Sequence, residues 1–322
     1  KNLTIGKNCL FDTFSYGGAI AGSNLGLIEN CANYGTVKTY FSEAGGIVGD
    51  LKAKGTVRSC FNGGNVYAGY TYAGGIAGKS TSATIENCQN AGDVAAKFLN
   101  PYQAEGRQYG AGGIVGSAAA GTKLMNVLNS GKVSSCKQVG GIVGAQVATA
   151  ASPTKVINGV NYGIVVSTAD ASTGGALVGV NTLGTFENAI YDKQIQKVGA
   201  VGLANVSGIT ALKTADLASA KVALPDSAWT KVDGVYPMLS FAKDFALAKL
   251  QARSVVKFAE GNCAAYVTSA AQLCNTADVA WSVKTGSNFS VAGEKLSVTV
   301  PAEGAVSDVL VSAADGYVRE LP

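Results

Sequence analysis

Chemistry in this chain would have to come from carboxylates, an arginine and aromatic rings. Glu43, Asp50 and Glu105, with Arg107 as a charge stabiliser, are the residues that could cleave a polysaccharide. Glycoside hydrolysis needs two convergent carboxylates. Nothing in the spacing pairs these three, so scattered solvated charges account for them better and no catalytic residue is assigned. No histidine occurs among the 322 residues. That removes Ser-His-Asp and Cys-His catalysis, histidine general bases and the usual zinc sites. The seven cysteines follow neither CxxC metal spacing nor a disulfide framework. Cys31, Cys60 and Cys88 occupy one slot that later holds Val127, Gly159 and Ala189. A slot that accepts these side chains is a small apolar core position, not a metal or redox site. Cys263 and Cys274 could pair in an oxidising compartment or stay free. There is no EF-hand or GGxGxD loop for calcium, and no metal or cofactor is expected.

The candidate binding residues are mostly aromatic. Tyr40 and Phe41 precede one glycine box, and Tyr67, Tyr70 and Tyr72 precede the next. The longer segment Ala95 to Ala111 then brings Phe98, Tyr102, Glu105, Arg107 and Tyr109. Tyrosine rings stack on sugar faces and supply rigid contact area, so these residues point to a glycan or a surface protein as partner. The opposing expectation is that the rings pack on one another and merely cover an edge. Burial of Tyr70, Tyr72, Tyr102 and Tyr109 would defeat the binding patch.

What must position these residues is a repeat. Gly45-Gly46-Ile47-Val48-Gly49 recurs at Gly74, Gly112 and Gly140, with looser copies at Gly17 and Gly174. A second box, clearest as Ile28-Glu29-Asn30-Cys31-Ala32-Asn33-Tyr34-Gly35-Thr36-Val37, follows each glycine box. A repeat period of roughly 20–50 residues marks an array whose units bury their apolar faces against their neighbours. Short alternating segments between Gly and Asn read as strands. Crossover chirality favours a right-handed coil with parallel strands stacked about 4.8 Å apart. Asn30, Asn87, Asn126, Asn158 and Asn188 then form one amide ladder, and Asn33, Asn62, Asn90, Asn129 and Asn161 a second. Glu29, Arg58 and Glu86 alternate in sign along one exposed column.

Composition supports a folded chain. Charged residues are 14%, hydrophobic residues 47% and the net charge +4, against a usual charged share of about a quarter. The charge is too small, and basic residues too scattered, to argue for nucleic acid. No run reaches the length of a membrane span. The first residues, Lys1-Asn2-Leu3-Thr4-Ile5, already lie inside the repeat pattern, as expected of a processed or trimmed secreted protein. We therefore expect an all-β chain: a right-handed parallel β-solenoid over residues 1–192, a cap over 193–240, a linker over 241–252 and a small β-sandwich over 253–322. Within the cap, Lys213 to Ala220 reads as a short helix with Thr214 as N-cap. In the last domain, Ser254 to Phe258 and Ala264 to Val267 are among five strands expected around Trp281.

The two boxes, recurring in order, resemble the GLUG repeat of bacterial surface proteins. The resemblance covers about residues 1–240, with Thr214 to Ala220, Trp229 and Tyr236-Pro237 similar to the end of such arrays. The segment from Arg253 to Pro322 resembles the reduced immunoglobulin-like domains of surface proteins from gut Bacteroidetes. Membership would imply an exported protein on the outer-membrane surface, a lipoprotein among the options, joined to the membrane only through an N-terminal anchor outside this chain. Its implied role is adhesive and non-enzymatic, with a glycan or a host or bacterial surface protein as partner. The competing expectations are a polysaccharide lyase or hydrolase on a β-helix and a purely structural stalk.

Overall fold

The computed structural model describes residues 1–96, 109–168, 173–196, 198–202, 206–232 and 235–244, and the strand segments 281–285, 289–292, 295–298, 309–313 and 318–321. The chain divides into two compact units, Lys1–Leu212 and Lys213–Pro322.

The first unit is a β-solenoid. Its strands form four parallel sheets, called A to D here, and each turn of the coil visits D, A, B and C in order. Sheet A carries the asparagine box, for example Thr84–Asn90, and sheet B its closing valine, as in Val94–Ala96. Sheet C carries the first part of the glycine box, as in Tyr72–Gly74, and sheet D the residues after it, as in Ala77–Ser80. Sheets B, C and D each contain six strands, so six turns are stacked. The register is strict. Val37 pairs with Val66, Val66 with Val94, Val94 with Val133 and Val133 with Val165. Each turn therefore places the same box position above its predecessor, as the repeat requires.

Period-2 alternation on short strands turns one set of side chains into the coil. Ile47, Ile76, Ile114 and Ile142 pack there with Val57, Ile85, Leu124 and Val156. Cys31, Cys60 and Cys88 lie in the same core with no exposed surface, and Cys88 is in register with Val127 and Val127 with Gly159. The cysteine slot is thus an interior column, as expected. A second apolar strip of Val37, Val66, Val94, Val133 and small alanines lines sheets B and C.

The interior ladder runs through Asn33, Asn62, Asn90, Asn129 and Asn161, all fully buried. Each Nδ2 donates to the Oδ1 of the next turn at 2.7–2.9 Å, and Asn161 ends the series on the Ala176 carbonyl. Each Nδ2 also donates to the carbonyl of the glycine two residues on. The outer ladder has the opposite polarity: Asn188 donates to Asn158, Asn158 to Asn126 and Asn126 to Asn87, at 2.9–3.0 Å. Its members hold the left-handed conformation, with φ of 50 or 51°, which asparagine tolerates better than other residues with a Cβ. Ser59 sits in the same slot at φ 51° and separates Asn30 from this ladder.

The charge column at the edge of sheet A is in register as expected, Glu29 beside Arg58 and Arg58 beside Glu86. Arg58 pairs with Glu29, whose other oxygen meets Lys1 at 2.7 Å. Hydrogen bonds from Lys1 and Arg58 hold the Glu29 carboxyl below its ordinary value.

The second unit opens with a helix over Thr214–Leu217. One expectation is corrected here: the N-cap is Lys213, it makes no side-chain cap bond, and Thr214 is already helical. An antiparallel hairpin, Trp229–Val232 with Val235–Leu239, follows, with Trp229, Tyr236 and Leu239 buried. Further on, Trp281–Thr285 pairs with Val309–Ala313, which pairs with Val318–Leu321, while Phe289–Ala292 pairs with Lys295–Val298. All are antiparallel. The strands expected at 254–258 and 264–267, and Cys263 and Cys274, lie outside the described residues.

The ladders make two outcomes measurable by urea unfolding. Asn90→Ala strips the Asn62 and Asn129 amides of a partner in the core and should destabilise the chain by roughly 2–4 kcal/mol. Ser59→Asn should extend the outer ladder to Asn30 and stabilise by about 1 kcal/mol, the net worth of a hydrogen bond.

Candidate functional site

Where sheet B hands over to sheet C the turns make corners, and Tyr40, Phe41 and Tyr70 of the expected binding residues lie at them. In the second turn the corner is Tyr40–Glu43, after the strand Thr36–Thr39 and before Ala44–Gly45. The third-turn corner is Gly69–Thr71, and the first is Phe14–Tyr16, between Leu10–Thr13 and Gly17–Gly18. Backbone pairing persists round the bend: the Tyr40 amide donates to the Thr13 carbonyl and Phe41 to Phe14, both at 2.9 Å. The side chains of successive corners are therefore brought together.

A stack of rings results. Phe14 lies 5.7 Å from Tyr40 and 5.7 Å from Phe41, with interplanar angles of 20° and 3°. Phe41 in turn stacks on Tyr70 at 4.9 Å and 12°. Both rings on Phe14 come from the next turn. Phe14 is 68% exposed, Tyr40 54%, Tyr16 45% and Phe41 41%. Hydroxyls lie beside them in the chain: Ser15 Oγ meets Ser42 Oγ at 3.4 Å, Thr13 donates to the Ser15 carbonyl at 2.8 Å and Thr39 to that of Ser42 at 2.5 Å.

The patch expected from the sequence fails at each of its test tyrosines that is described, and only a different group of rings is exposed. Tyr70, Tyr72 and Tyr109 are buried, each less than a tenth exposed, and cannot offer their faces to a partner. For Tyr70 the physical reason is in-register stacking, because the Phe41 ring of the neighbouring corner covers it. Tyr72 donates its hydroxyl to Gln138 Oε1 at 3.1 Å, past Gly110, which stands between them in the register. Lys137 Nζ lies 5.7 Å from the centre of the Tyr109 ring. Burial, with the Glu43 carboxylate second, raises the Tyr72 hydroxyl to about 12, and burial, then the hydrogen bond to Cys136, does the same for Tyr109. Tyr67 is half-buried and lies on sheet B beside Lys38 rather than at the corner. Burial, and then Asp93, raises its hydroxyl above the ordinary value. Phe98, Tyr102, Glu105 and Arg107 lie outside the described residues. Tyr40 and Phe41 remain as expected binding residues in the open.

Phe14 and Tyr16 were missed by sequence reasoning. The signal was there: Phe14 and Tyr16 lead into Gly17-Gly18 as Tyr40 and Phe41 lead into Gly45-Gly46. Of the carboxylates, Glu43 lies half-buried at the corner and Asp50 is buried on sheet D, between Ser23 and Lys79 in the register. Among the described residues no three of Cys, Asp and Glu gather where they could hold a metal ion.

The GLUG motif matches residues 69–95, one full turn of the solenoid from the third corner to sheet B. The fold is similar to the crystal structure of a "putative immunoglobulin A1 protease" from Bacteroides ovatus. The two are 21% identical with a TM-score of 0.52, over 72% of this chain and 75% of that one, a likeness of fold. No curated protein matches the chain.

Burial of Tyr72 and Tyr109 has a pH signature. Their folded values of about 12 lie above the ordinary 10, so the unfolded chain gives up these protons first. Their contribution to stability should be fully present below pH 10 and should be lost as pH rises from there through about 12. Ultraviolet titration should show at least two tyrosines, Tyr72 and Tyr109, resisting ionisation until about pH 12. Ionisation of all tyrosines near pH 10 would place both at the surface.

Proposed function

We propose that the chain is an exported cell-surface binding module, a non-enzymatic adhesin that holds a glycan or a surface protein against one edge of its solenoid. The observation that carries this is the exposed ring group Phe14, Tyr16, Tyr40 and Phe41 on a rigid, in-register scaffold. Monomeric surfaces rarely gather large apolar side chains without using them. Aromatic anchors on a rigid support bind with little loss of conformational entropy. The GLUG motif fits an extracellular setting, and the resemblance of residues 253–322 to immunoglobulin-like modules fits a spacer towards the cell.

The description of the Bacteroides ovatus neighbour raises the alternative of an enzyme. A protease or polysaccharide-cleaving activity on this chain would have to work without histidine, and Glu43 and Asp50 stand on different faces of the coil. A stalk without a ligand would leave the exposed rings without a use.

Beads coated with the protein and offered mucin glycoproteins and soluble polysaccharides separate these readings. Retention of intact material is expected, with no new reducing ends or peptide fragments, and loss of retention when Phe14, Tyr40 and Phe41 are all changed to Ser. New reducing ends or fragments would identify an enzyme. Retention unchanged in the triple variant would dismiss the edge.

A further inference from the structure

We infer that the corner edge takes a neutral, pyranose-based glycan, with the exposed Phe14 ring as the stacking platform; this deepens the function proposed above and rests on it. Three observations select that ligand class. First, the three corner segments 14–16, 40–43 and 69–71 contain no lysine or arginine. Their single charged residue, Glu43, is half-buried and close enough to Tyr72 to raise its hydroxyl. A partner rich in phosphate, sulfate or carboxylate would find no lysine or arginine on these three corners, Lys137 belonging to the corner of the fifth turn, and recognition of such groups depends on arginine and lysine.

Second, the Phe14 ring is both held and exposed. Tyr40 and Phe41 both come from the turn after Phe14, and Phe41 is itself stacked on Tyr70. Phe14 is thus held by two ring contacts and still 68% exposed. The C–H-bearing face of a pyranose ring is flat, apolar and of benzene size. It replaces water on such a platform without requiring a charge.

Third, the residues beside Phe14 and Phe41 in the two corners carry hydroxyls. Ser15 and Ser42, partly spent on one another at 3.4 Å, and the phenol groups of Tyr40 and Tyr16 can each donate and accept. Sugar hydroxyls do the same, so a glycan satisfies these groups in either sense. An apolar helix laid on this edge would instead strip water from these hydroxyls and leave them unpaired.

The test uses affinity electrophoresis and calorimetry on the full chain. Its probes are a neutral β-glucan, a neutral galactomannan, polygalacturonate and heparin. Retention by at least one neutral polymer is expected, with no dependence on salt between 0.05 and 0.5 M, values on the order of the usual screening range. Phe14→Ala should weaken it about ten-fold, the usual cost of removing an anchoring side chain. Phe14→Trp should preserve it, and Lys123→Ala, on the exposed face of sheet A, should leave it unchanged. Circular dichroism of each variant confirms the fold. Preference for polygalacturonate or heparin, salt-sensitive retention, or indifference to Phe14→Ala would each overturn the inference. If no neutral polymer binds while mucin retention is still lost in the triple serine variant, the glycan class is wrong and the adhesive edge stands. If both fail, the underlying function falls too.

Discussion

The fold depends on one shared volume inside the coil, occupied by the asparagine of one box and denied to the glycine of the other. A Cβ on Gly46, Gly75, Gly113 or Gly141 would fall within the side chain of Asn62, Asn90, Asn129 or Asn161 respectively. It would also run into the carbonyl of the next turn's glycine box, at Gly75, Gly113, Gly141 and Ala176 in turn. Glycine is used here for close approach and not for unusual dihedrals. The two boxes are therefore one device. The amide needs room to reach the turn above, and the missing side chain supplies it. This explains why the boxes recur together and in order, and why the interior tolerates a buried polar column. Each amide in it is satisfied on both sides, which removes the cost of roughly 1–3 kcal/mol that an unpaired buried polar group carries.

The opposite polarities of the two ladders follow from where each sits. The interior amides donate towards the C-terminal turns, ending on a backbone carbonyl, and the outer ones donate towards the N-terminal turns. Two antiparallel chains of amide dipoles offset one another along the coil, so stacking further turns builds up little field. The interior ladder is continuous over five asparagines, whereas the outer one breaks at Ser59 without a change in backbone conformation. The interior ladder is the more constrained because a gap there would leave unpaired groups away from water, while Asn30 faces solvent.

Much of this was legible in the sequence, because a repeat spells out its own register. The cysteine column, both asparagine ladders and the alternation of Glu29, Arg58 and Glu86 followed from alignment of the boxes. Burial at the corners did not follow. Periodicity says which side chains share a column but not how far a ring on one turn covers the ring on the next. For that reason the sequence left Tyr70 and Tyr72 open between a binding patch and a packed edge, and in the fold Phe41 stacks on Tyr70 and Tyr72 reaches Gln138. Phe14 was overlooked for a related reason: its corner, Phe14–Tyr16, is shorter than Tyr40–Glu43, so the rings do not align by counting back from the glycines. The cap of the Thr214–Leu217 helix was misread because a threonine at the start of a helix can serve as N-cap or as first helical residue. Here the extended backbone of Lys213 decides it.

The same stacking that makes the faces rigid leaves the corners as the place for recognition. A substitution on a sheet face meets the turns above and below it at about 4.8 Å, so any change in size must be matched by both. At the corner between sheets B and C the chain leaves the lattice. The stretch from Gly74 to Gly112 is longer than that from Gly45 to Gly74, yet the register of Val94 with Val133 and of Gly74 with Gly112 stays intact. Corner residues can thus vary without cost to the coil, while backbone pairing through Phe14, Tyr40 and Phe41 still holds them in fixed relative positions. Side chains free to change and held still are what a specific contact surface requires. Among the described residues, the exposed rings Phe14, Tyr16, Tyr40 and Phe41 gather at these turns.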